Sequence, residues 1–304
     1  MNVVNTIEQI RSLKKQKNAL IVAHYYVDDS VQEIADYVGD SYYLSKVCMD
    51  RPEQLIIFCG VRFMGESAKI LNPYKQVVMA EEHADCPMAH MIEIEKIREM
   101  RAAYKDLAVV CYINSTTEIK AEADVIVTSS NALEIVGQLP EKNIFFIPDE
   151  HLGRYIAEQL PEKNFIFNDG FCHVHTSITV ESLKTAMAAQ PEAKVLVHPE
   201  CPKVITELAD YVGSTSGIID YATHDPAEKF IIGTEMGILY ELKKKNPHKQ
   251  FYAVGHRQFC PNMKRISLED VYHALDTLKH PIELDEEMRR KAEGALSKMH
   301  QLAK

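Results

Sequence analysis

Short, nearly unbroken apolar runs recur along the chain, separated by longer segments whose apolar positions fall at helical spacing. Runs of this kind, bounded by polar turns, read as strands buried on both faces, as parallel sheets require. Ile7, Ile10 and Leu13 give a first helix, Thr6–Lys17, one apolar stripe and a basic end. The run Ala19–Ala23 is a first strand that ends in His24, Tyr25 and Tyr26. A short helix over Val31–Asp36, a helix opened by Ser41 and running to Met49, the strand Leu55–Phe58, the helix Phe63–Leu71 and the strand Gln76–Met79 then lead to Cys86. A second pass has the helix Ile92–Tyr104, the strand Leu107–Cys111, a helix from Ala132, the strand Ile144–Ile147, a helix over Gly153–Leu160 and the strand Phe165–Phe167 before Cys172. A third has the helix Val180–Ala189, the strands Val195–Val197 and Phe230–Ile232, the helix Gly237–Lys245 and the strand Phe251–Val254 before Cys260. Ser267 and Asp270 form a capping box for a last helix, Leu268–Leu278.

The three passes keep one register. Cys86, Cys172 and Cys260 lie 86 and 88 residues apart. His24, Tyr112 and His198 are spaced by 88 and 86 residues, and so are Ser41, Ser129 and Thr215. The segments Ala35–Ser41, Ala123–Ser130 and Ala209–Ser216 fill one slot. Repeats of this length predict three small α/β lobes rather than a solenoid: residues 1–90, 91–176 and 177–304, the last including the C-terminal helices. Each lobe is expected to be a three-layer αβα unit on a short parallel sheet, with pseudo-threefold symmetry around a central cavity. Ligands of open α/β sheets bind beyond the carboxyl ends of strands. His24, Tyr26, Tyr112, Asn114, His198, Glu200 and the three cysteines all fall there.

Composition narrows the function classes. The 304 residues are 46% apolar, enough for a sizeable core, and carry a net charge of −10. That charge argues against nucleic acid or an acidic membrane as partner. No apolar run is long enough to span a bilayer, and Met1–Leu20 carries charges without a signal-peptide core, so a cytoplasmic location is expected. Seven cysteines, an odd number with no C-x-x-C, argue for reduced thiols rather than a disulfide scaffold. The usual phosphate-binding glycine motifs are missing.

Three thiolates from distant segments suit a soft metal. An iron–sulfur cluster held by three cysteines leaves one iron open as a Lewis acid. Zinc is the competing reading, since His173 and His175 stand near Cys172 and Cys₃ or Cys₂His spheres are ordinary for that ion. Spacing leaves both open. Cys48, Cys59 and Cys111 sit in apolar contexts and read as core, while Cys201, beside Pro202, reads either way. The hydroxyl-rich turns at Gly39–Ser41, Thr128–Ser130 and Gly213–Ser216 precede helices, where they serve as caps or hold carboxylate and phosphate oxygens. Glu200, two residues after His198, reads as a general base, and Tyr26 as a proton donor. A non-catalytic three-lobed binding protein with structural zinc, and a hydro-lyase acting on another acid, are the rival classes.

The chain resembles the quinolinate synthase family over essentially its whole length. The resemblance is carried by Ala23-His-Tyr-Tyr26, Ala35-Asp-Tyr-Val-Gly-Asp-Ser41, Cys86-Pro-Met-Ala89, Tyr112-Ile-Asn-Ser-Thr116, Thr128-Ser-Ser-Asn131, Cys172-His-Val-His175, Val197-His-Pro-Glu-Cys-Pro202, Gly213-Ser-Thr215, Gly233-Thr-Glu235 and Cys260-Pro-Asn-Met-Lys264. It implies a [4Fe–4S] cluster on Cys86, Cys172 and Cys260, with the fourth iron facing substrate. It also implies condensation of iminoaspartate with dihydroxyacetone phosphate to quinolinate in NAD biosynthesis, and makes the enzyme that supplies iminoaspartate a candidate partner. By the same resemblance His24, Tyr26, Ser41, Tyr112, Asn114, Ser129, His198, Glu200, Ser214 and Thr215 line the cavity, with Tyr26, Glu200, His198 and His24 catalytic. Cys260 is followed by Pro-Asn-Met, so the C-x-x-C of some relatives is absent here.

Overall fold

The computed structural model describes residues 3–303; residues 1–2 and 304, the outer ends of the first and third predicted lobes, lie outside it. It is an α/β structure with three parallel four-stranded sheets, each flanked by helices. The first sheet contains β1 (Ala19–His24), β2 (Tyr37–Gly39), β3 (Leu55–Cys59) and β4 (Gln76–Met79). The second contains β5 (Leu107–Tyr112), β6 (Val125–Val127), β7 (Asn143–Ile147) and β8 (Asn164–Phe167). The third contains β9 (Lys194–Val197), β10 (Tyr211–Val212), β11 (Lys229–Gly233) and β12 (Gln250–Ala253). The spatial orders are β2-β1-β3-β4, β6-β5-β7-β8 and β10-β9-β11-β12, so one topology is used three times.

The predicted strands agree with those observed to within a residue or two, but the short edge strands β2, β6 and β10 were not predicted. They lie inside the repeated Ala-Asp segments and are too short to carry a periodic signal. The aspartate of each segment explains why they pair. The main-chain N–H groups of Asp36, Asp124 and Asp210 donate to the carbonyls of Ile21, Val109 and Val195. Their carboxylates accept the N–H of those same residues at 2.9, 2.7 and 2.7 Å. Each aspartate thus extends the ladder by a side chain. A second repeated device closes helices. The ammonium groups of Lys75, Lys163 and Lys249 each donate to two carbonyls at a helix end: Cys48 and Arg51, Leu139 and Glu141, Ala222 and Asp225. Those carbonyls have no partner within their own helix.

Apolar packing divides the molecule unevenly. One continuous core joins the first two sheets to the helices Leu268–Thr277 and Glu286–Leu302. The third sheet has two cores of its own, with Leu196, Phe230 and Ile232 in one and Val195, Val197 and Ile231 in the other. Alternate residues of β9 and β11 supply them, as the two faces of a pleated sheet demand. Both faces are covered by local helices, so the C-terminal helices turn back. Leu268–Thr277 packs on Val3–Lys17, and Glu286–Leu302, a helix beyond the one read from the sequence as the last, bridges Arg62–Leu71 in the first lobe to Thr117–Ala121 and β6 in the second. The predicted capping box is present: Ser267 and Asp270 exchange side-chain and main-chain hydrogen bonds, and the helix ends with Leu278 in the left-handed region at φ 52°.

Candidate active site and metal centre

The carboxyl ends of β1, β5 and β9 meet at a cavity of about 80 Å³. His24, Tyr112 and His198 stand at or just beyond these ends, with Tyr26, Asn114 and Glu200 two residues further on. Ser41, Ser129 and Thr215 reach the same cavity from the loops and helix starts that follow the edge strands. Asp40, not Ser41, caps its helix, its carboxylate accepting the N–H of Tyr43 at 2.9 Å, which makes Ser41 the first helical residue. The hydroxyl of Ser214 is the cap of the third helix and accepts the N–H of Gly217 at 3.1 Å. Ser214 is outside the cavity lining, whereas its neighbour Thr215 is part of it. Close approach of the first and third lobes depends on Gly237. A side chain there would come within 2.6 Å of the Tyr25 carbonyl. Gln32 ties the same junction by donating to the carbonyls of Tyr25, Val27 and Gly237.

The cavity has an acid–base layout. Burial lowers the pKa of both His24 and His198 to about 3, so both are neutral. Nδ1 of His24 accepts the Tyr26 N–H at 3.2 Å, and Nδ1 of His198 accepts the Glu200 N–H at 3.3 Å. Each ring therefore carries its proton on Nε2, and that of His198 donates to Ser129 Oγ at 3.1 Å. Burial would raise the Glu200 carboxyl, but His175 and the Tyr112 hydroxyl, which donates to Oε1 at 2.6 Å, outweigh it and hold the group ionised. The neutral His198 adds little to that. His175 Nδ1 lies 2.7 Å from Glu200 Oε2, off the line of a straight hydrogen bond. Burial raises the Tyr26 phenol well above its usual range, so it is a donor, in contact with Thr215 at 2.8 Å and Thr234 at 2.9 Å. No lysine or arginine is among the described residues lining the cavity.

Cys86, Cys172 and Cys260 also line it, one from each lobe, and all seven cysteines are free. Each of the three stands where a strand-end loop enters a short helical turn. Burial raises the Cys86 thiol to about 12, and Cys260 beside it adds to the shift; Cys172 is raised by burial and then by Glu200. Three free thiols that open on one cavity from three lobes are the soft donors a metal would need, and a bound metal would deprotonate them. They fit a soft, three-cysteine centre. Cys48, Cys59, Cys111 and Cys201 are buried away from the cavity.

Thr234, Asp149 and Glu235 were not singled out as binding or catalytic, and His175 was read only as a competing zinc ligand. Thr234 bonds Tyr26 and the Nε2 of His175 at 2.8 Å, and His175 stacks on His198 at 4.7 Å. Asp149 and Glu235 are wholly buried carboxyls at the ends of β7 and β11. The repeat register points to these two, since 149 and 235 stand in the same relation as 112 and 198. The first lobe hides the pattern with Val61.

The sequence profile of the Quinolinate synthetase A protein family matches residues 8–301. The quinolinate synthase of Caldicellulosiruptor bescii is 52% identical over 299 residues, 98% of this chain and 99% of that protein. The quinolinate synthases of Clostridioides difficile and Fusobacterium nucleatum are each 51% identical, covering 97% of this chain and 97% and 99% of their own lengths. With its tripled fold, its three-cysteine cavity and this end-to-end similarity, the chain belongs to the quinolinate synthetase A family.

Proposed function

We propose that this chain condenses iminoaspartate with dihydroxyacetone phosphate to quinolinate, with loss of phosphate and water, and that Cys86, Cys172 and Cys260 hold a [4Fe–4S] cluster. The observation that carries the reading is the meeting of three free cysteines, two neutral histidines, an ionised glutamate and a protonated tyrosine in one buried cavity. When bound, the cluster supplies Lewis acidity toward a substrate hydroxyl through its open iron.

The protein groups divide the remaining work. The Nε2–H groups of His24 and His198 and the hydroxyls of Ser41, Ser129 and Thr215 hold carboxylate and phosphate oxygens, a task left to neutral donors where ammonium and guanidinium groups are missing. The enamine carbon of iminoaspartate bonds to the carbon bearing phosphate as that C–O bond breaks and phosphate leaves with the electron pair. Glu200 then takes a carbon-bound proton and Tyr26 gives one to oxygen in a ketose-to-aldose shift. Tyr112 keeps Glu200 oriented. Burial excludes water that would hydrolyse the imine. Cytoplasmic reducing conditions match a chain whose cysteines are all free. Among the described residues no helix is long and apolar enough to cross a membrane.

A second reading has one specific observation behind it. Ligand atoms of Cys172, His175 and Glu200 lie within 4.8 Å of one another and would suit a single zinc ion. Anaerobic purification with iron, sulfide and zinc analysis, coupled to a quinolinate assay, separates the two. The proposal expects about four iron and four sulfide per chain and quinolinate only when both substrates are present. A colourless protein with stoichiometric zinc and no quinolinate overturns it.

A further inference from the structure

Each of the three cavity cysteines has its main-chain N–H directed at a carboxylate. The Cys86 N–H donates to Asp85 Oδ1 at 2.8 Å. The Cys260 N–H donates to Glu235 Oε1 at 3.1 Å, while the other oxygen of Glu235 accepts the Gly237 N–H at 2.6 Å. The Cys172 N–H faces the Asp149 carboxylate, whose Oδ1 accepts the Leu152 N–H at 2.7 Å and whose Oδ2 has no hydrogen-bond partner. Asp149 and Glu235 occupy equivalent positions after β7 and β11 and are wholly buried. The acceptors lie 23 and 25 residues before the cysteine of their own lobe. Asp85 differs: it is the immediate neighbour of its cysteine, its side chain is 40% exposed, and its second oxygen is 2.7 Å from His90 Nε2. Lys264 lies 3.6 Å from Glu235 and has no counterpart at Asp149, whose Oδ2 is without a hydrogen-bond partner.

Burying a carboxyl costs several kcal/mol unless its oxygens are used, so two such groups at matched positions beside two matched cysteines call for a reason. We propose that Asp149 and Glu235 are positioning residues for the metal centre: each anchors the main chain of one cysteine, Cys172 or Cys260, so that its sulfur is held in place before a metal arrives. This inference rests on the reading of the three cysteines as cluster ligands. It concerns geometry rather than charge, because an amide oxygen accepts the same hydrogen bond.

The test compares Asp149→Ala and Glu235→Ala with Asp149→Asn and Glu235→Gln in the cluster-loaded full chain. It follows iron release to a chelator and the low-temperature electron paramagnetic resonance of the reduced cluster. The alanine variants are expected to release iron about tenfold faster or more, with altered resonance line shapes, the range seen when groups supporting metal ligands are lost. The asparagine and glutamine variants are expected to stay within about twofold of the parent. Alanine variants matching the parent in both readouts overturn the proposal. So does a loss that is equalled by destabilisation of the cluster-free chain in thermal unfolding, which would assign the effect to folding. Failure of the parent chain itself to bind iron and sulfide would refute the three-cysteine cluster instead.

Discussion

Among single residues, Glu200 and the histidines behind it have the sharpest consequences. Glu200 is a cavity carboxylate whose neighbours hold it ionised against burial. Glu200→Gln keeps the shape and the contact with Tyr112 but removes the base. Turnover is expected to fall about 10²–10⁴-fold while iron and sulfide content stays at the parent level. Full activity in this variant would remove Glu200 from the mechanism. His24 and His198 have folded pKa values near 3 against an ordinary value of 6.5. Above pH 6.5 both rings are neutral in either state and cost nothing. Below it the unfolded chain takes up two protons that the native site refuses, so stability falls as pH drops from 6.5 toward 3. Urea unfolding of the parent and of His198→Asn across that range checks the point, and the variant is expected to show the shallower loss.

At the scale of elements, the edge strands hang on the aspartates before them. Asp210 joins β10 to β9 with a main-chain bond and a side-chain bond to the same residue, Val195. Asp210→Ala leaves the N–H of the buried Val195 without that acceptor, and denaturant unfolding is expected to show a loss of about 1–3 kcal/mol. An unchanged midpoint would mean that the strand pairs without its aspartate. The same elements explain what could be read ahead of the fold. The central strands carry continuous apolar runs and were legible to a residue or two. The edge strands span only two or three residues, and their pairing comes from the aspartate rather than from hydrophobic pattern. The short helices Thr117–Ala121, His173–Thr176 and Lys203–Thr206 were missed for the same reason: too few turns to show a period.

At the scale of the molecule, the third lobe is packed on its own cores while the first two share one with the C-terminal helices. Leu296, fully buried in the bridging helix, belongs to the shared core. Leu296→Ala is expected to cost about 2–5 kcal/mol. Hydrogen exchange should place the lost protection in β1, β3, β5 and β7, with β9 and β11 the least affected. Uniform loss across all three sheets would show that the lobes unfold as one unit.

The repeat register, the parallel α/β class and most of the polar groups that line the cavity were legible in the sequence alone, because buried strands and strand-end polar residues leave a local mark that recurs at fixed intervals. Only the tertiary structure decided that Ser214 caps a helix while Thr215 faces the cavity, and that the C-terminal helices close over the first two lobes. It alone brought Asp149 and Glu235 to the cysteines of their own lobes. These outcomes depend on which surfaces remain uncovered once the sheets have formed and on contacts between segments more than twenty residues apart. A linear pattern of apolar and polar positions does not encode either.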